Sequence, residues 1–351
     1  MKTKAAVLYE IGKPLVIEEI EIPELKEGQV LVKILYSGIC HSQLNEIKGL
    51  KGPDKYLPHL LGHEGSGIVE EIGKGVTKVR KGDYVALTWI QGEGINAGGS
   101  KYTLNNKEIN AGAITTFSEK AVISENRLVK LNYKDTPPKI AALLGCAVHT
   151  GMGMVKNYLE EDKNKTVAIY GVGGIGFSAL IAAGLNNYSK IIAIDINDKK
   201  LEYALTLGAT HTINSSKQNV LEEIKNITNG IGVDYVIEST GVIEVMQNAY
   251  YILARGGSAV IAGNAKGGLN FSIDPSGLNQ GKKILGTWGG EKNPEKTESD
   301  KKILFYEEMY HKGKLPLDKL VLKDYRLGQI NEAFSDLEKG DILFRAIIDF
   351  T

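Results

Sequence analysis

Cysteine is nearly absent from this chain of 351 residues, occurring only as Cys40 and Cys146. A disulfide-stapled scaffold is thereby excluded, and a chain of this length needs none, because two domains of ordinary size each bury a core of their own. Net charge is absent as well: 42 Lys plus Arg stand against 42 Asp plus Glu, so no overall field draws the protein to nucleic acid or to an anionic membrane. No apolar stretch is long enough to cross a bilayer, and Met1 to Leu8 runs into an apparent strand without a signal-peptide core. The expectation is a cytoplasmic protein with no nucleic-acid and no membrane partner. Internal repeats and low-complexity segments are missing too.

What is present begins with those two cysteines and the histidine of Gly62-His63-Glu64-Gly65 between them. Two soft thiolates and an imidazole are the ligand type a catalytic zinc prefers when one coordination position must stay open. Spacing alone leaves the other reading open, namely two inert buried thiols and a core histidine.

Directly after Cys146 comes a nucleotide-binding pattern. The apolar run Thr166 to Tyr170 leads into Gly171-Val172-Gly173-Gly174-Ile175-Gly176 and then a helical run from Phe177 to Ala183. Gly171 permits the tight turn, Gly173 lets the backbone approach a pyrophosphate, Gly176 allows helix to pack on strand, and the N–H groups of the helix start face the phosphates. A second apolar run, Ile191 to Ile194, ends in Asp195, at the usual distance for an acid that holds an adenosine ribose; the alternative is a solvated acid at a strand end. A carboxylate there repels a 2′-phosphate, and Ile196-Asn197-Asp198 offers no arginine to receive one, so NAD is favoured over NADP, with Lys199 and Lys200 compensating in part. Val233 to Glu238, Ser258 to Gly263 and Lys283 to Thr287 read as further buried strands, with Glu244 to Leu253 helical between them. Five or six such strands from about residue 150 to 290 predict a doubly wound parallel sheet whose ligand crevice lies at Gly171, Asp195, Ser239-Thr240-Gly241 and Gly263.

The N-terminal part differs in texture. Gln29 to Tyr36, Gly67 to Gly73 and Asp83 to Leu87 are short strands punctuated by Gly and Pro, the pattern of a β-rich domain. Gln91 to Asn110 predicts a long surface loop, and Glu291 to Lys302 an exposed loop or helix start. Arg326 to Phe334 predicts a helix and Arg345 to Phe350 a final strand that returns to the first domain.

With these pieces the chain resembles the zinc-dependent medium-chain dehydrogenase/reductase family, the alcohol and polyol dehydrogenases. The motifs carrying the resemblance are Gly38-Ile39-Cys40-His41-Ser42, Gly62 to Val69, Gly82-Asp83-Tyr84-Val85, Cys146 to Gly151 and Gly171 to Gly176. It implies an α/β protein with a doubly wound Rossmann domain over 148–290 and a β-rich GroES-like catalytic domain over 1–147 and 291–351. It also implies one catalytic zinc per chain on Cys40, His63 and Cys146, with Glu64 as a nearby carboxylate able to enter the metal shell transiently. Ser42 would carry the first step of a proton relay. For NAD, besides Gly171, Gly173, Gly174, Ile175, Gly176 and Asp195, it implies Thr150 against the nicotinamide, Lys200 near the ribose and Arg345 near the pyrophosphate. Trp89 and Phe117 match positions lining the substrate pocket, with a core role as the alternative; Trp288 is a further candidate wall. The implied reaction is zinc-assisted hydride transfer between an alcohol and NAD, in a homodimer or homotetramer. A zinc-free quinone or enoyl reductase and a non-catalytic nucleotide-binding protein are the rival readings.

Three departures from the family pattern matter. Thr88 to Lys120 contains none of the four cysteines of a structural zinc, so packing and hydrogen bonds must hold that stretch. Gln43 replaces a common aspartate behind the zinc, and Asn45 replaces the histidine that ends the relay in many alcohol dehydrogenases, leaving His41 and His149 as nearby candidates.

Overall fold

The computed structural model describes every residue except Lys296 and Val321. The chain forms two compact units, Met1–Cys146 with Thr297–Thr351, and Ala147–Lys296. Glu291 belongs to the second unit, where it is bridged to Trp288 and bonded to His149.

In the second unit six parallel strands form one sheet, in the order His211–Asn214, Lys190–Asp195, Thr166–Tyr170, Val233–Glu238, Leu253–Ile261 and Lys283–Gly286. The order reverses direction at Thr166–Tyr170, which places a crevice at the carboxyl ends of the central strands. Strands such as Ile191–Ile194 are buried on both faces, and this is why they read as continuous apolar runs rather than alternating ones. The strand His211–Asn214 had no such signal, since only Ile213 and Asn214 are buried in it.

The first unit is β-rich. Five strands close a small barrel (Lys2–Leu8, Val16–Glu21, Ser100–Leu104, Lys107–Ala111, His59–Leu60), and a seven-stranded sheet is built on Gln29–Ile39 and Glu64–Ile72. The returning strand Arg345–Asp349 pairs with Gln29–Ile39, setting Ala346 opposite Ile39.

Two sequence expectations are corrected. Gln91 to Asn110 is not all loop: Ser100–Leu104 and Lys107–Ala111 form a hairpin. Its turn is Asn105-Asn106, both at positive φ, and Tyr102 and Ile109 bury one face. The polar residues alternating with that face masked the pattern. The charged run Glu291 to Lys302 is likewise not wholly exposed, because Glu291 and Asp300 are buried as hydrogen-bond acceptors and ion-pair partners.

Candidate functional site

Cys40 follows the strand Gln29–Ile39 and is the N-cap of a short helix, His41–Ile47. Gln43 in the first turn accepts the Cys40 N–H at 3.3 Å, which fixes the start of the helix. His63 precedes the strand Glu64–Ile72. Cys146 follows Gly145, whose carbonyl accepts the Thr88 hydroxyl at 2.7 Å. These three segments bring the two sulfurs and one imidazole nitrogen within 4.8 Å of one another.

Both thiols are buried. The Cys146 thiol shares its proton with Cys40, and this hydrogen bond, outweighing burial and assisted by the Arg345 charge and by His63, holds Cys40 well below the ordinary thiol range. Cys146 is pushed up in consequence, with burial adding to the effect. His63 Nε2 is buried with no hydrogen-bond partner among the described residues. Two cysteine sulfurs and an imidazole nitrogen converging on one point are a donor set that fits zinc.

Glu64 is 0 % exposed and lies 2.8 Å from the guanidinium of Arg345, itself 4 % exposed. Glycine at position 38 is required here, because a Cβ would overlap the Glu64 carboxylate. Burial alone would lower the Arg345 pKa, but the charges of Glu64 and of the two sulfurs raise it, so the group stays ionised. Arg345, the residue expected near a pyrophosphate, is buried beside Glu64 and the cysteines. The strand pairing of Ala346 with Ile39, two residues from Cys40's helix start, sets that position, and no local sequence signal reports it.

Phe117 had two readings, a pocket wall or a core residue. It is 1 % exposed and packs edge-on against Phe334, with ring centroids 5.9 Å apart, inside the core shared with Leu8, Ile39 and Ile330. It is a core residue. Trp89 is half-buried with its ring 6.4 Å from that of His63, and Trp288, in the second unit, is 50 % exposed. Ser42 is half-buried on the Cys40 helix. His41 is exposed at the start of that helix, whereas His149 is fully buried and bonded through Nε2 to Glu291 at 2.9 Å, so it is committed elsewhere.

In the second unit Gly171 has φ of +80°, and a Cβ on Gly176 would overlap the Gly171 carbonyl. The space beside Gly173 is open. Gly174 and Ile175 begin the helix Gly174–Leu185, whose first N–H groups have no partner within the helix. Asp195 ends its strand with Oδ2 accepting the Val172 N–H at 2.9 Å and Oδ1 the Asn197 N–H at 3.0 Å. The acid is thus oriented by the glycine turn itself. Lys200 is half-buried on the following helix, and Thr150 is buried on the helix Ala147–Tyr158. Sequence reading missed Glu238, a buried carboxyl at the same end of the sheet. Burial raises its pKa against the hydrogen bonds it accepts from the Thr240 hydroxyl and the Thr240 and Gly241 amides. Its signal was an acid closing the run Tyr235-Val236-Ile237.

Comparison with known proteins follows the same division. The family pattern described as "Alcohol dehydrogenase GroES-like domain" matches residues 26–133, and "Zinc-binding dehydrogenase" matches 171–302. An S-(hydroxymethyl)glutathione dehydrogenase of Synechocystis sp. is 35% identical, covering 100% of both chains. Alcohol dehydrogenase 2 of Zea mays is 33% identical, covering 98% of this chain and 96% of its own. The crystal structure of benzyl alcohol dehydrogenase from Acinetobacter calcoaceticus superposes with a TM-score of 0.88 at 32% identity, covering 100% of both chains.

Proposed function

Because the chain belongs to the zinc-dependent medium-chain dehydrogenase/reductase family, we propose that it oxidises a primary or secondary alcohol to an aldehyde or ketone, or runs the reverse reduction, with NAD. The observation that carries this reading is the convergence of Cys40, His63 and Cys146 on one point, in a chain that also holds the glycine turn and Asp195. Zinc on that trio would supply a Lewis acid that lowers the pKa of an alcohol, and NAD would supply the hydride acceptor. Ser42 takes the substrate's hydroxyl proton and passes it outward, since a hydroxyl both accepts and donates. Arg345 pairs with Glu64 at 2.8 Å and holds it beside the cysteines. Gly173 and the helix start at Gly174 and Ile175 cradle the pyrophosphate, Asp195 binds the ribose hydroxyls with Lys200 near them, and Thr150 lies against the nicotinamide. Trp89 forms part of the substrate wall.

In this reading residues 1–147 and 291–351 form the catalytic domain and 148–290 the NAD domain. Two thiol ligands require a reducing compartment, so we place the enzyme in the cytoplasm. We also assign it a homodimer or homotetramer, because Lys283–Gly286 is an edge strand carrying the half-buried Ile284 and Leu285, and self-association removes such an edge. The test is NADH formation across a panel of alcohols, led by S-(hydroxymethyl)glutathione and benzyl alcohol, together with the zinc content of the same sample. Zinc-loaded protein that reduces NAD with no alcohol, and oxidises NADH with no aldehyde or ketone, overturns the proposal.

A further inference from the structure

A second cluster of metal-ligating side chains stands in the first unit, apart from the cysteine trio. Glu46 lies in the last turn of the helix His41–Ile47, Asp54 in the loop that follows, and His59 at the start of the strand His59–Leu60. One ligand atom from each lies within 4.8 Å of the others. The buried His59 ring is fixed by its Nδ1, 2.9 Å from the Leu60 carbonyl oxygen, which only accepts. Nδ1 therefore carries a hydrogen and donates it. The other nitrogen, Nε2, faces Asp54 Oδ2 at 2.7 Å and Glu46 Oε1 at 3.9 Å. An imidazole lone pair and a carboxylate oxygen repel at that distance unless a proton or a cation lies between them. A histidine whose Nδ1 is held by a carbonyl while Nε2 points at carboxylates is the arrangement that orients a metal-binding imidazole.

The carboxylates are also held in place. Asp54 Oδ1 accepts the Tyr56 N–H at 2.9 Å, and Glu46 Oε2 is paired with Lys51 at 2.8 Å, which leaves Glu46 Oε1 on the His59 side. Glu46 and His59 line a cavity of about 580 Å³ that gives an ion an entry path and room for water ligands.

We propose that Glu46, Asp54 and His59 form a second divalent-cation site, with one nitrogen and two oxygen ligands of the kind zinc, cobalt and manganese accept. A tetrahedral ion with bonds of about 2.0–2.1 Å separates its donor atoms by about 3.3 Å. The 2.7 Å gap widens and the 3.9 Å gap closes to reach that value, each by side-chain rotation. The ion takes the place of the proton on Nε2, which leaves to solvent. Its position has a consequence for the first site. Glu46 lies in the last turn of the helix that Cys40 caps, and His59 begins the segment that reaches His63, so the ion ties together two pieces of chain that each carry a ligand of the trio.

The test uses a thiol-free background, the Cys40→Ala, Cys146→Ser double variant of the full chain, titrated with Zn²⁺ by calorimetry. About one ion per chain is expected to bind. Adding His59→Ala should abolish this binding, and adding Glu46→Gln, which keeps the side chain's shape, should weaken it at least 10-fold while circular dichroism stays unchanged. If the double variant remains folded and binds no Zn²⁺, the cluster is a hydrogen-bonded charge group only and the proposal fails. Zn²⁺ binding unchanged by Glu46→Gln overturns it equally, and that variant decides the matter if His59→Ala does not fold. Neither outcome touches the assignment of the cysteine trio, which the double variant lacks.

Discussion

The backbone around Ile95 is held to that around Thr77 by one buried carboxylate, and Glu125→Gln tests what that contact contributes. Glu125 is 1 % exposed; its Oε1 accepts the amides of Thr77 at 2.7 Å and Lys78 at 2.8 Å, and its Oε2 accepts that of Ile95 at 2.8 Å. Burial pushes its pKa up, but these three donors and the Lys78 charge outweigh burial and leave the group below its ordinary value. A glutamine keeps one oxygen for two amides and turns an NH₂ toward the third. The buried Ile95 N–H then loses its acceptor, at about 1–3 kcal/mol, and the two remaining bonds lose their charge assistance, about 1 kcal/mol more. A total of about 3 kcal/mol should lower the urea midpoint of the first unit by at least about 1 M. Trp89 fluorescence in a Trp288→Phe background reports that unit. Since the folded pKa is depressed, the stabilisation is full above the unfolded value of about 4.3 and is lost as pH falls through the folded value. The two proteins should therefore differ at pH 7 and converge in acid. Equal midpoints at pH 7 would refute the reasoning.

Other outcomes follow from the site. Cys146→Ser should strip the metal held by the trio and abolish alcohol oxidation while the protein stays folded, as elemental analysis and circular dichroism would report; full activity in a metal-depleted variant would contradict the assignment. Asp195→Ser removes the ribose acceptor and its charge, so the ratio of kcat/KM for NAD over NADP should fall by at least about 10-fold; an unchanged ratio would show that selectivity lies elsewhere. Ser42→Ala should slow alcohol oxidation by roughly 100-fold or more with NAD affinity preserved, while Asn45→Ala, whose amide is no base, costs far less. Equal losses in those two variants would remove Ser42 from the relay.

Much of the molecule was legible in its residues for local reasons. A glycine turn between an apolar strand and a helix has one common geometry, and Asp195 ends the next strand because the parallel sheet repeats strand and helix at a regular interval. The hairpin Ser100–Ala111 was hidden because its buried face holds few apolar side chains, and its Asn-Asn turn lacks the glycine that marks such turns most clearly.

The sequence by itself determined the chemistry available: two thiols, an imidazole, a phosphate-binding turn and an acid, each in a motif whose spacing local geometry dictates. Only the tertiary structure decided who meets whom across long separations. Arg345 reaches Glu64 because the last strand pairs with Gln29–Ile39, and His59 reaches Glu46 because a loop folds back on a helix end. Phe117 sinks into the core through its contact with Phe334. Such partnerships carry no periodicity; they follow from chain return and the burial of charge, which one-dimensional patterns do not record.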